Sequence, residues 1–142
     1  MANPSQLTFE LVTPDHGVVS ELVDEVQLPG SEGYLGILPG HTPLLTTLTV
    51  GELWYRKGQQ KTYLSVAFGL AEVLSDRVTI LARSAETADE IDEVRAEAQR
   101  QRALGELQKP HANPVDLEKI QASLMKALVR LQVANRRRAP RT

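Results

Sequence analysis

Cysteine is absent from the 142-residue chain. That removes disulfides, thiolate zinc sites and cysteine nucleophiles together, and it agrees with a reducing compartment. Aromatics make up only 4% of residues, so any core must be aliphatic. No run approaches the roughly 20 apolar residues of a membrane span. Residues 1–6 hold neither a basic n-region nor an apolar h-region, so neither a secretory signal nor a transit peptide is expected there. Histidine occurs only at His16, His41 and His111, without a His-x-x-x-His or His-Glu-x-x-His pair, so no metal site is expected. Gly30-Ser31-Glu32-Gly33 shares only letters with a Gly-x-Ser-x-Gly nucleophile elbow, and Gly33-x-x-Gly36 lacks the Gly-Lys-Ser/Thr ending of a phosphate loop. Neither a catalytic constellation nor a metal-ligand set is expected from this sequence.

What is present divides in two. An apolar fraction of 42% supports one domain, or a small domain with an appendage. Through Ala88 there are five Lys and Arg against ten Asp and Glu, a net −5. From Asp89 onward eleven basic residues face eight acidic ones, a net +3. The basic excess gathers at Arg136, Arg137, Arg138 and Arg141, a tail suited to touching an acidic surface or to plain solvation.

The acidic half reads as short strands. Leu7, Phe9 and Leu11 alternate with polar residues, as in a half-buried strand. Further candidates lie at Val18–Leu28, Leu44–Val50, Gly51–Tyr55, Thr62–Val66, Ala67–Leu74 and Val78–Ala82, separated by turns at Thr13–Gly17, Arg56–Lys61 and Ser75–Arg77. Eight to ten strands without an intervening helix predict an antiparallel sandwich or barrel. Between them, residues 30–45 carry four glycines and two prolines alongside Leu, Ile and Tyr. That composition predicts a shaped loop with core anchors rather than a flexible linker.

The basic half reads as two helices. Thr87-Ala88-Asp89-Glu90 fits a capping box, and acidic residues follow it as the helix dipole favours. This helix is expected to end near Gln108. Asn113-Pro114 then supplies an N-cap and a first-turn proline. In the second helix Leu117, Ile120, Leu124, Ala127, Leu131 and Ala134 form one narrow apolar stripe. An antiparallel hairpin of this kind has too little apolar surface to stand alone, so it must lean on the sandwich or on a partner. Asp92, Arg95 and Arg102 share one face of the first helix, and Lys126 and Arg130 share one face of the second. If those faces meet, the cations need an anion among them, a triphosphate being the natural one. An ordinary solvated Asp92–Arg95 pair explains the first spacing equally well.

The segment Gly30-Ser31-Glu32-Gly33-x-Leu35-Gly36-Ile37-Leu38-Pro39-Gly40-His41-x-Pro43-Leu44-Leu45 closely resembles the signature of the epsilon subunits of F-type ATP synthases. Leu64-Ser65-x-Ala67-x-Gly69-x-Ala71-Glu72-Val73 and Val78-Thr79-Ile80-Leu81-Ala82 extend the match, which spans the chain. The resemblance implies an α+β fold, a ten-stranded antiparallel β-sandwich followed by a two-helix hairpin, here divided as residues 1–86 and 87–142. It implies a non-catalytic rotor subunit in the central stalk, packed on the gamma subunit and the c-ring. The hairpin would inhibit ATP hydrolysis by extending toward the alpha and beta catalytic subunits. It further implies a peripheral location on the cytoplasmic face of the bacterial inner membrane, with the plastid thylakoid membrane as alternative. Glu32, Gly33 and Tyr34 would meet the c-ring, and His41 would face gamma.

Ile91-Asp92-Glu93-Val94-Arg95-Ala96 is similar to the ATP-binding motif of some bacterial members. No cofactor is required, and ATP would be a regulatory ligand. By that likeness Glu86, Asp92 and Ala96 would lie near the adenosine, while Arg95, Arg102 and Arg130 address the phosphates. Lys126 stands where the strongest binders have Arg, so it keeps the charge without the bidentate fork. The competing reading is a stand-alone anion-binding or nucleic-acid-binding module. Such a module interleaves aromatics with its basic residues, and residues 89–142 contain no Phe, Tyr or Trp.

Overall fold

The computed structural model describes residues 4–110 and 113–137. His111, Arg138 and Arg141 therefore lie outside the described residues. Eight strands come first: β1 (Leu7–Val12), β2 (Gly17–Val23), β3 (Glu25–Gly30), β4 (Gly33–Ile37), β5 (Leu44–Leu48), β6 (Gly51–Lys57), β7 (Gln60–Val73) and β8 (Arg77–Thr87). A single 3-10 turn, Ala88–Glu90, leads to helices α1 (Glu93–Leu107) and α2 (Pro114–Arg136).

The expected ten strands become eight because β7 and β8 are long and each serves two sheets. Residues 60–66 of β7 pair with β6, and residues 69–73 pair with β5. The change of partner falls at Phe68 and Gly69, whose φ angles are +59° and +140°. A corner of this kind lets one strand pass from one packed sheet to the other. The pairings are antiparallel apart from β1 with β8, which is parallel. The glycine-rich segment also departs from a loop. Gly33–Ile37 forms β4, antiparallel to β3, with Ile37 opposite Val26. Glycines at 33 and 36 weaken the strand signal, since they offer no side chain to pack.

Leu7, Phe9 and Leu11 are fully buried between the sheets with Val26, Leu28, Leu53, Leu64, Val66 and Ile80. The core is aliphatic, as so few aromatics require, with Phe9 and Tyr55 stacked at a tilt within it.

The capping box forms, but it caps the 3-10 turn and not α1. The backbone N–H and hydroxyl of Thr87 both donate to Glu90 Oε1, at 3.4 and 2.8 Å. Ile91 and Asp92 then run extended, and α1 begins at Glu93 with Asp92 as its N-cap. The cap of α2 is as expected: Asn113 Oδ1 accepts from the Asp116 N–H at 2.9 Å, with Pro114 following. The hairpin rests on the sandwich. Ile91, Val129, Val133 and Ala134 pack on Val50, Tyr63 and Ala88 in a small cluster separate from the main core. Among the described residues no helix is long and apolar enough to cross a membrane.

Candidate functional site

Where α2 crosses β7 and β8, the outward side chains of the sheet are small. Ser65, Ala67 and Ser84 cannot fill the gap, Ala85 lies at its floor with its side chain packed toward the main core, and a cleft of about 220 Å³ remains between sandwich and hairpin. Glu86, Gln99, Lys126 and Arg130 complete its lining. Arg130 Nη2 donates to Glu86 Oε2 at 3.3 Å and Nη1 donates to Gln99 Oε1 at 3.1 Å. Arg130 Nε lies 3.0 Å from Glu86 Oε1, close enough for ionic attraction. Its N–H misses that oxygen's direction and has no hydrogen-bond partner. Gln99 is itself oriented by donating to the Ser123 carbonyl and hydroxyl, both at 3.2 Å. Lys126 Nζ sits 5.5 Å from the Phe68 ring centre, and the Arg83 guanidinium 5.9 Å from it. Such cation–π contacts draw the cations to the ring without neutralising them. Among the described residues no carboxylate lies within ion-pairing distance of Lys126. The cleft thus carries more positive than negative charge and has one unsatisfied donor.

Of the seven residues suggested for nucleotide binding, Glu86, Lys126 and Arg130 converge here. Ala96 is buried instead, and Asp92 accepts from the Arg95 backbone N–H at 3.1 Å. Asp92 therefore caps the helix and is not paired to the Arg95 guanidinium. Arg95 and Arg102 are exposed on α1, within about 60° of arc from Gln99 on a helix of 3.6 residues per turn. Sequence reasoning missed Gln99 and Phe68. Gln99, four residues after Arg95 and three before Arg102, was the available signal.

A second cation group fastens the end of α2. Arg136 makes a bidentate pair with Glu52, Nε to Oε2 at 2.9 Å and Nη2 to Oε1 at 2.8 Å. Its guanidinium also lies 4.6 Å from the Tyr63 ring centre. The Glu52 hydrogen bonds push the Arg136 pKa up, holding the cation more firmly. Arg137 donates to the Ala88 carbonyl at 2.9 Å and to Glu93 Oε1 at 2.6 Å. On α1, the Arg100 fork and Gln101 hold the Glu97 carboxyl down at about 2.

Glu32, Gly33 and Tyr34 are exposed at the β3–β4 turn. The Tyr34 hydroxyl accepts from the Glu52 N–H at 3.3 Å. The ring lies over Gly51, where a Cβ would stand 3.0 Å from that hydroxyl and 2.6 Å from Pro29 Cβ. His41 is half-buried, and its Nδ1 donates to the Thr42 carbonyl at 2.7 Å.

The sandwich also bears an apolar strip that sequence reasoning did not single out. Leu70 stands directly across from Leu81 and from Thr47. Leu45, two residues from Thr47, lies diagonal to Leu70 on the same face. Leu45 is 65% and Leu81 53% exposed. A contiguous apolar face of this kind marks an interaction surface. Among the described residues no group of three or more His, Asp or Glu is arranged to hold a metal ion.

Known proteins share this arrangement. Residues 6–88 match the family described as ATP synthase, Delta/Epsilon chain, beta-sandwich domain. Residues 89–135 match ATP synthase, Delta/Epsilon chain, long alpha-helix domain. The ATP synthase epsilon chain 2 of Syntrophotalea carbinolica is 50% identical over 131 residues, covering 92% of this chain and 95% of that one. The ATP synthase epsilon chain of Geobacter sulfurreducens is 44% identical with the same coverage. A chain of the Euglena gracilis mitochondrial ATP synthase (OSCP/F1/c-ring) shares the fold. It superposes with a TM-score of 0.72 at 22% identity, over 95% of this chain and 81% of that one. With both halves of the chain matched and half of the 131 aligned residues identical in a relative, the chain belongs to the ATP synthase delta/epsilon family, as an epsilon chain.

Proposed function

We propose that this chain is a non-catalytic central-stalk subunit that joins the gamma subunit to the c-ring and restrains ATP hydrolysis through its hairpin. It works as a peripheral protein, on the cytoplasmic face of a bacterial inner membrane. The observation that carries this reading is the exposed Leu45–Leu70–Leu81 strip, which lies beyond the β7 corner from the hairpin. A rotor subunit needs a permanent docking face apart from its regulatory element, and this strip fits gamma. The β3–β4 turn with Glu32, Gly33 and Tyr34 then meets the polar loops of the ring, and His41 faces gamma. Leu81→Asp, an exposed change that leaves the core untouched, is expected to weaken gamma capture at least tenfold in a pull-down. Undiminished capture would sink the docking assignment.

ATP is the proposed regulatory ligand of the cleft. Lys126 and Arg130 address phosphate oxygens, Arg95 and Arg102 close in from the flank of α1, and Glu86 lies toward the adenosine, which the buried Ala96 and the capping Asp92 reach only once the hairpin adjusts. At about 220 Å³ the cleft is smaller than the roughly 300–1,000 Å³ of ordinary ligand sites. Binding therefore requires Arg130 to exchange Glu86 for phosphate and the hairpin to adjust. Titration calorimetry with magnesium-free ATP should give saturable heat, weakened more than tenfold by Arg130→Gln. An absence of heat at millimolar ATP would refute ligand binding and leave the rotor role intact.

A further inference from the structure

Glu52 is a carboxylate in an unusual position. Along β6 its neighbours Leu53 and Tyr55 point into the core, so Glu52 faces outward with Trp54 and Arg56. An outward glutamate on a strand is ordinarily solvated, yet Glu52 is only 6% exposed. The end of α2 covers it, and Arg136 supplies both of its hydrogen-bonded oxygens with a donor. The apolar contact around it is small: Ile91, Val129, Val133 and Ala134 against Val50, Tyr63 and Ala88. We infer that the Glu52–Arg136 pair, seated on Tyr63, is the detachable clamp that decides whether the hairpin lies on the sandwich. This deepens the proposed regulatory reading and rests on it for its consequence in the complex.

The physics makes such a pair reversible. Burying Glu52 under α2 carries a desolvation cost that offsets much of its attraction to Arg136, whose side chain stays about 40% exposed, so the intact pair adds little net stability. Removing Arg136 alone is costly, because the Glu52 carboxylate then stays buried and uncompensated. Lifting α2 returns Glu52 to water and relieves that cost. Glu86, by contrast, has a side chain about one-third exposed, so its pairing with Arg130 leaves less at stake.

These energetics predict a distinctive order among variants. The chain's lack of cysteine permits spin labels at Gln59→Cys, on the β6–β7 turn, and Gln132→Cys, on the exposed side of α2, without background. Pulsed electron resonance on the full chain should give one narrow distance. Arg136→Met, which strands Glu52, should raise the displaced fraction at least tenfold. Arg136→Lys, which keeps the charge but loses the fork, should raise it less. Glu52→Gln combined with Arg136→Met should restore the narrow distance, since neither charge is left buried. An unchanged distance in Arg136→Met, or a double variant as displaced as the single, would overturn the clamp. Displacement in Arg136→Met with unaltered ATPase activity of the reconstituted complex would instead overturn the inhibitory reading and leave the clamp standing.

Discussion

Replacing Gly69 with alanine is expected to destabilise the sandwich by about 3–5 kcal/mol, a large share of the roughly 5–15 kcal/mol typical of a domain. Two causes add at this position. The backbone holds φ at +140°, a region essentially closed to residues with a side chain and costing about 1–3 kcal/mol to occupy. A Cβ there would also stand 2.1 Å from the Leu81 carbonyl oxygen and 2.8 Å from Ala82 Cα. Both are backbone atoms, so relief requires β7 and β8 to part at Leu70–Leu81 and Gly69–Ala82. Because β7 changes partner from β6 to β5 at this corner, the disturbance reaches both sheets. It also reaches Phe68, whose ring sits between Arg83 and Lys126 at the cleft. Urea denaturation monitored by circular dichroism measures the loss as a lowered midpoint. A shift worth less than about 1 kcal/mol by linear extrapolation would mean that the corner relaxes freely and that neither cause operates.

The alternation of Leu7, Phe9 and Leu11 made the core legible, because a strand with one buried face writes its period directly into the sequence. All three are fully buried. The Asn113–Pro114 start of α2 was legible for a similarly local reason, a side chain closing its own backbone hydrogen bond. The start of α1 was not. Two caps compete within six residues, Thr87 and Asp92, and the extended Ile91 between them is fixed by its burial against Val129 and Val133. That is tertiary information. On α2 the periodicity singled out the apolar stripe through Ala127 and Ala134 and left the face carrying Val129, Arg130, Val133 and Arg137 without an assigned neighbour. That face meets the sandwich, because Glu86, Glu52 and the Ala88 carbonyl take up the arginines at that end of the helix.

The candidate site was half legible for the same reason. Helical spacing grouped Asp92 with Arg95 and Arg102, and Lys126 with Arg130, but spacing fixes directions only within one helix. The docking of α2 decided that Arg130 turns to Glu86 and that Arg95 and Arg102 stay at the flank. The leucine strip escaped for a different reason. In a strand with Leu44 turned to the core, Leu45 necessarily turns out. Nothing in the sequence says which of two adjacent leucines is the exposed one.

Removing the residues after Ala88 is expected to raise ATP hydrolysis by the reconstituted complex several-fold while leaving this subunit bound. The main sandwich core is closed without the hairpin, whose apolar cluster, among the described residues, packs on Val50, Tyr63 and Ala88. Truncation exposes those side chains and frees Glu52 to be hydrated, an apolar loss of a few kcal/mol at about 25 cal/mol per Å². The main core through Phe9, Leu28, Leu53 and Ile80 stays closed. The leucine strip lies on the other side of the β7 corner, so docking to gamma persists. What is lost is the hairpin with its cations Lys126, Arg130, Arg136 and Arg137, the groups proposed to reach the catalytic subunits. A pull-down of the truncated chain with gamma and a coupled ATPase assay on the same preparation separate the two roles. Retained binding with unchanged hydrolysis would reject an inhibitory hairpin, and lost binding would mean that the docking face extends onto the helices. The combination of retained binding and released hydrolysis is what two functions on two faces, divided at Phe68–Gly69, require.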